Sequence, residues 1–267
     1  MSYYIHNLDP IAFRIGSLAF PWYWLVYCLG YFWFLFSLEK FIVNKSLKMS
    51  SKSLYSFVFG GFIALLLGGR LGYVFFYNWP FYQANPQKIV ALWEGGMSFH
   101  GALALSAIWV LIYSKIVNIR FFNLSDHLCF LAPPVLAFGR LANFINGELA
   151  GRVSDVPWAV IFPRIYGNTP RHPSQLYEAF IEGILLFGVM LILKGKLKVE
   201  RFMSSLFLIG YGLGRFVVEY FREPDQQLGF IIKELTLGQL FCLMMILIGV
   251  IIFISGRRKY PQHNLEV

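Results

Sequence analysis

Ionisable groups are scarce in this chain: Asp, Glu, Lys and Arg together make up 14% of it, against a hydrophobic fraction of 57%. That balance excludes an ordinary water-soluble domain. Cysteine is equally sparse. Cys28, Cys129 and Cys242 stand singly in three separate apolar stretches, which argues against a disulfide framework or a zinc site and leaves them as small packing residues. The aspartates, Asp9, Asp126, Asp155 and Asp225, are scattered, so no acidic pair is available to hold magnesium for metal-dependent phosphotransfer. A GxSxG elbow, an HExxH pair and a Walker loop are all missing. No internal repeat divides the chain into matching halves, which disfavours the common transporter architectures. Residues 1–16 lack the basic start and small-residue cleavage site of a secretory signal, so the first apolar stretch is expected to stay as an anchor.

What the chain has in quantity is long apolar runs and aromatic residues, the latter 19% of the total. Hydropathy predicts spans near residues 17–38, 54–79, 97–114, 121–143, 173–193, 202–221 and 235–255. The expected fold is therefore all-α: one integral membrane domain over 1–267, a bundle of about seven transmembrane helices, with a small outward-facing arm or cap over 148–171. That stretch holds Pro157, Pro163 and Pro170 with Gly167 and Asn168. A second outward segment, near 78–96, carries Trp79, Pro80 and Trp93, which suit the headgroup belt.

The net charge of +9 does not read as a nucleic-acid footprint, because its carriers sit in short clusters between apolar runs. Lys40, Lys45, Lys48 and Lys52 follow the first span, Lys115 and Arg120 the third, Lys194, Lys196, Lys198 and Arg201 the fifth, and Arg257, Arg258 and Lys259 the seventh. Arg14, Lys88, Arg152, Arg164, Arg171, Arg222 and Lys233 are spread over longer segments on the other side. The positive-inside rule then predicts an N-terminus outside and a C-terminus in the cytoplasm.

Against this background the polar residues at membrane depth stand out, since a charge at the centre of a bilayer helix costs roughly 2.5–3.5 kcal/mol on insertion scales. In GRLANFINGELAGR, Arg140 and Asn143 are three apart and share a helix face, with Asn146 and Glu148 where that helix should end and Arg152 beyond. They form either a polar clamp between helices or a phosphate-gripping fork, for which a guanidinium is well shaped. In GYGLGRFVVEYFREPD, Tyr211, Arg215 and Glu219 recur every four residues, followed by Arg222 and Asp225; Arg215 and Glu219 can form a structural ion pair or part of a site. His100 lies near the outer end of the third span in FHGAL, after Gly95, Gly96 and Ser98. It can take a proton, bind phosphate, or merely bond a neighbouring helix. Arg70 follows Gly68 and Gly69 in the second span. In RHPSQLYEAFIE, after His172 and Pro173 and a possible Ser174 cap, Glu178 and Glu182 are like charges at i,i+4, so one should be protonated or matched by an arginine. Asp126 and His127 open the fourth span, as a cap or as chemistry. A site that handles a lipid phosphate with arginines and no metal is the economical reading. The rivals are a binding or transport protein for an anionic lipid or solute, and an assembly protein whose polar residues only join helices.

The blocks GRLANFINGELAGR, FHGAL, GGRLGY, RHPSQLYE and GYGLGRFVVEYFREPD, in this order from about Trp22 to Asp225, resemble the bacterial prolipoprotein diacylglyceryl transferases. The resemblance implies a polytopic enzyme of the bacterial inner membrane. It would move a diacylglyceryl group from phosphatidylglycerol to the lipobox cysteine in the signal-peptide region of a lipoprotein precursor, forming a thioether and releasing glycerol phosphate. It implies no metal and no cofactor, and as partners the membrane lipid and the precursor, not nucleic acid. The family's important positions fall on Tyr23, His100, Arg140, Asn143, Glu148, Gly151, Tyr211, Arg215 and Glu219. Small residues of the family pattern are replaced at Ala102, Ala142 and Trp24. Thioether chemistry requires deprotonation of a thiol and stabilisation of a departing phosphate. Arg140 and Arg215 are expected to hold the phosphate, with Asn143 and Glu148 fixing glycerol hydroxyls and the arginine fork. Arg70 and Asn146, with Tyr23, Gly151 and Tyr211, are expected to line the substrate site. His100 is the first candidate for the base and Glu219 the second.

Overall fold

The computed structural model describes residues 3–16, 18–92, 95–195, 201–223, 230–232 and 235–257. Lys196, Lys198, Lys233, Arg258 and Lys259, used above for orientation, lie outside the described residues, as do Trp93 and Asp225. The long helices are α1 (Trp22–Val43), α2 (Ser51–Phe76), α3 (Phe99–Ile116), α4 (Phe121–Asn146), α5 (Ser174–Leu193), α6 (Phe202–Val218) and α7 (Leu237–Arg257). Among the described residues six of these are long and apolar enough to cross a bilayer, while α6 is apolar but has 17 residues. At 1.5 Å per residue that is about 25 Å, short of the ~30 Å hydrocarbon core.

The largest boundary difference is at the first span, expected from residue 17 and found from Trp22. Residues Ile11–Ile15 and Leu18–Pro21 instead pair as an antiparallel hairpin, and Phe13 stacks on Phe20 with ring centroids 4.7 Å apart. Apolar content alone does not separate such a strand from a helix start. Elsewhere the ends are set by caps: the Ser50 Oγ accepts from the Ser53 N–H (3.1 Å), and the Ser98 Oγ from that of Gly101 (3.2 Å).

The chain divides into two compact units. One takes in Trp33–Ser125 and is organised by α2 and α3. Here the backbones touch through glycine: a Cβ at Gly101 would stand 2.7 Å from the Cα of Gly72, and nearer still to the Gly68 carbonyl. The Ser98 N–H donates to the Gly69 carbonyl (2.8 Å), and the Trp109 indole N–H to that of Phe57 (3.0 Å). Gly68, Gly72 and Gly101 thus serve close helix approach, whereas Gly95 and Gly96, before FHGAL, take positive φ in the chain leading into α3.

The other unit takes in the described residues up to Phe32 and from Asp126 onward. In it α6 packs along α7, and α5 meets α4 where a Cβ on Gly183 would stand 2.9 Å from the Ala137 Cα. From Ala179 to Leu185 α5 widens into a π-helical stretch, a feature that recurs at functional sites. Asp126 caps another helix: its Oδ1 accepts from the Ser204 N–H (2.9 Å) and hydroxyl (2.6 Å) at the start of α6.

The arm belongs to this second unit and draws on more chain than expected. Strand β1 (Tyr4–Ile5) pairs parallel with Val160–Ile161, which pairs antiparallel with Pro170–Arg171. Ala150, Val160 and Phe162 form its core, with Phe144 and Tyr166 packed against them. His6 is buried there, 5.3 Å from the Phe144 ring and 5.2 Å from that of Phe162.

Burial holds the His6 imidazole below its ordinary pKa of 6.5. The folded arm therefore favours the neutral ring, and as pH falls below 6.5 the unfolded arm takes up a proton first. Arm stability is expected to be full above neutrality and to decline as the pH falls below 6.5. The decline should be visible as increasing proteolysis between Gly147 and Arg171, and a His6→Phe variant should abolish it.

Candidate active site

The end of α4 sets the site's geometry. Gly147, with φ of 71°, turns the chain out of the helix, and the Glu148 N–H returns to the Asn143 carbonyl (3.1 Å). Leu149 follows at φ of 56°, an uncommon conformation for a side chain with a Cβ and one that gathers at functional sites. This turn brings the Glu148 carboxylate over the last turn of α4. Its Oε1 accepts from the Asn143 Nδ2 (3.0 Å) and the Asn146 Nδ2 (3.4 Å), while Asn143 also donates to the Tyr23 hydroxyl on α1. From α5, the Gln175 Nε2 donates to the Glu148 carbonyl (2.7 Å) and the Ser174 hydroxyl to that of Leu149 (3.1 Å).

One turn further along α5 lies the ionic centre. Glu178 Oε2 pairs with Arg140 Nε on α4 at 2.6 Å, and Glu178 Oε1 accepts from Arg222 Nη1 at 3.1 Å with Arg215 Nη1 at 3.9 Å. Glu182 stands 3.9 Å from Arg140 Nη2 and 4.0 Å from Arg215 Nε. Of the like-charged pair of α5, Glu178 is thus matched closely by arginines, whereas Glu182 has them no nearer than 3.9 Å and neither of its oxygens is hydrogen-bonded among the described residues. Arg215 also pairs with Glu219 through Nη2 at 2.6 Å, and Tyr211, one turn earlier on α6, is fully buried. The second Glu219 oxygen accepts from the Thr236 hydroxyl (2.8 Å). Thr236 and Gln239 in turn close a reciprocal capping box at the start of α7: the Thr236 N–H donates to Gln239 Oε1 (3.1 Å) and the Gln239 N–H to the Thr236 hydroxyl (3.2 Å).

His100 and Arg70 lie in the unit built on α2 and α3. Arg70 is buried and donates to the carbonyls of Ile89 (2.8 Å), Lys88 (2.6 Å), Gly96 (3.2 Å) and Gly95, with its guanidinium 5.1 Å from the Tyr82 ring centroid. His100 is half-buried on the first turn of α3, edge-on to Phe99. The unit that holds the arginine cluster gathers Tyr23, Arg140, Asn143, Asn146, Glu148, Gly151, Tyr211, Arg215 and Glu219.

The family model described as prolipoprotein diacylglyceryl transferase matches residues 10–255. The chain belongs to this family. It is 45% identical over 253 residues to the phosphatidylglycerol–prolipoprotein diacylglyceryl transferase of Brucella anthropi, covering 91% of this chain and 90% of that protein. The correspondingly named proteins of Bordetella parapertussis and Bordetella avium are 43% and 42% identical, each covering at least 94% of this chain and 96% of the relative. Family membership agrees with the reading drawn from the ordered blocks.

Three groups that organise the site were left outside the residues singled out for it: the Glu178–Glu182 pair, Arg222, and the Thr236–Gln239 box. Each left a trace in the sequence. Two carboxylates at i,i+4 inside an apolar run require cations from other helices, and Thr-x-x-Gln before an apolar helix is a capping signal. Nothing local, however, says which helices supply the partners.

Gly151 acts through the backbone. Its N–H donates to the His172 carbonyl (2.9 Å), it bridges to Arg222 across an antiparallel pair, and the Arg152 N–H donates to the Phe221 carbonyl (2.9 Å). A Cβ here would lie 2.8 Å from the His172 carbonyl oxygen and nearer still to that of Phe221. The segment thus ties the end of α6, and with it Arg222, to the arm. Beside it Val156, Trp158, His172, Tyr177, Ile181, Val218 and Phe221 line an apolar cavity of about 400 Å³. Gly151→Ala is expected to lower the thermal midpoint in detergent and to speed arm proteolysis, since overpacking against fixed backbone costs about 1–3 kcal/mol. Gly188→Ala, on the same helix as Gly183 with open space around its Cβ, should leave both unchanged and serves as the control.

Proposed function

We propose that the protein is a phosphatidylglycerol:prolipoprotein diacylglyceryl transferase that uses its half-buried arginines to grip the lipid phosphate. The observation that carries this reading is the meeting of the Arg140, Arg215 and Arg222 guanidiniums at Glu178, in a chain of this family. A sulfur–carbon bond forms between the lipobox cysteine of the precursor and the primary glyceryl carbon, and the bond from that carbon to the phosphate oxygen breaks. The thiol proton passes to a base. The phosphodiester, singly charged as substrate, leaves as a glycerol phosphate that gains charge. Fixed guanidinium donors in a poorly solvated site favour that later, more charged state.

Arg140 and Arg215 take the phosphate, while Tyr23, Asn143, Asn146 and Glu148, already joined through hydrogen bonds, take the glycerol hydroxyls. His100 serves as base. The engagement of both Glu219 oxygens, by Arg215 and Thr236, supports an orienting task for that carboxylate and so favours the imidazole. Arg70 acts indirectly: its bonds to the carbonyls of 88–96 fix the segment that leads into the His100 helix. The arm faces the periplasm and the C-terminus the cytoplasm of the bacterial inner membrane.

Purified protein in phosphatidylglycerol vesicles with a lipobox peptide is expected to yield a peptide carrying one diacylglyceryl group on its cysteine by mass spectrometry, together with water-soluble glycerol phosphate. Movement of labelled lipid without an adduct would point to transport instead. Arg140→Lys keeps the charge but loses the planar fork, and turnover should fall at least about tenfold. His100→Gln should abolish thioether formation while the protein still inserts; full activity would remove the imidazole from the chemistry.

A further inference from the structure

We propose that Glu178 is a positioning residue for this reaction: its carboxylate holds the Arg140, Arg215 and Arg222 guanidiniums turned toward one another and competes with phosphate for their donors, so that the product is released. The inference rests on reading those guanidiniums as the phosphate grip.

The geometry gives Glu178 a place no other carboxylate shares among the described residues. It faces arginines from two helices and from the segment beyond α6, at 2.6, 3.1 and 3.9 Å. Its side chain is 1% exposed, whereas those of Arg140, Arg215 and Arg222 keep 18%, 14% and 12%. The carboxylate is therefore the most enclosed of these four groups, with the three arginine side chains lying between it and the surroundings on the sides they cover. Its own position is held from both sides along α5: Gln175 is tied to the Glu148 carbonyl, and Gly183 is pressed on Ala137, three residues before Arg140. The π-helical stretch begins at the next residue, Ala179, and leaves Glu182 within 4.0 Å of Arg140 and Arg215 as well.

The chemistry explains why such a group is needed. Uncompensated guanidiniums at low dielectric bind anions strongly, and they bind a phosphate monoester more strongly than the diester that precedes it. An enzyme built that way would stabilise the departing phosphate and then keep it. A fixed carboxylate paired with the same donors lowers the affinity for both anions while preserving the orientation that favours the transition state.

The test uses full-length protein in phosphatidylglycerol vesicles, with sn-glycerol phosphate as the probe of the grip. Glu178→Gln preserves shape and removes the charge. It is expected to lower turnover about tenfold, less than the ~10²–10³ that loss of a donor touching the oxyanion itself costs, and to make glycerol phosphate a tighter inhibitor by a similar factor. Glu178→Asp keeps the charge one methylene further back and should fall between Gln and wild type on both measures. A residue with only a structural task would weaken turnover and product binding together, in step with the thermal midpoint; that outcome, or a Gln variant equal to wild type, overturns the proposal. Should Glu178→Gln not survive purification, Glu178→Asp decides alone: tighter inhibition with slower turnover supports the proposal, and wild-type values on both overturn it. If the wild type itself yields no adduct, the transferase reading fails. Calorimetric binding of glycerol phosphate then judges this inference separately, tighter binding to the Gln variant than to wild type upholding it and equal or weaker binding ending it.

Discussion

A guanidinium carried on a membrane-spanning helix cannot be left unpaired, and the way this protein meets that constraint organises the unit around it. Arg140, Arg215 and Arg222 come from α4, from α6 and from the chain just beyond it; the carboxylates of Glu178 and Glu182 stand among them, and Glu219 pairs with Arg215. Removing one member of a buried pair costs about 3–5 kcal/mol, because it strands the other charge. The helices are therefore held at the separations these pairs require, and glycine makes the separations reachable: Gly183 lets α5 close on Ala137, and Gly214 lets α6 approach Ile181. The Thr236–Gln239 box extends the network to α7 through Glu219.

The network is continuous with the arm through backbone rather than charge. Gly147 and Leu149 take positive φ, which folds Glu148 back onto Asn143 and presents its carbonyl to Gln175. Gly151 then lets the following residues lie against His172 and Phe221. One short stretch thereby joins the end of α4, the start of α5 and the end of α6. This accounts for a long run of polar and small residues, GRLANFINGELAGR, directly after an apolar span. Most of its members fix local geometry, and the proposed phosphate grip depends on that geometry being rigid.

Much of this was legible before any coordinates. The ends of the long helices lie within three residues of the hydropathy expectation, apart from α1, which is displaced by five at both ends because an apolar hairpin and an apolar helix look alike. Helical spacing alone put Arg215 with Glu219, whereas Arg140 and Asn143, three apart on α4, take different partners, Glu178 and Glu148. The need for cations near Glu178 and Glu182 was legible too, but their source was not. Arg70 was legible as a cation beside glycines, but not that it donates to the carbonyls of Lys88, Ile89, Gly95 and Gly96, which lie some twenty residues along the chain.

The sequence by itself determined the polytopic, mostly helical class and the family, because those depend on composition, on periodicity within one helix and on the order of local blocks. Tertiary structure alone decided which carboxylate answers which guanidinium, that Glu178 stands at the centre, and that β1 completes the arm against Val160–Ile161. Those pairings join residues far apart along the chain. They are set by how helices pack through their glycines and by where loops return, and neither leaves a mark in any single segment.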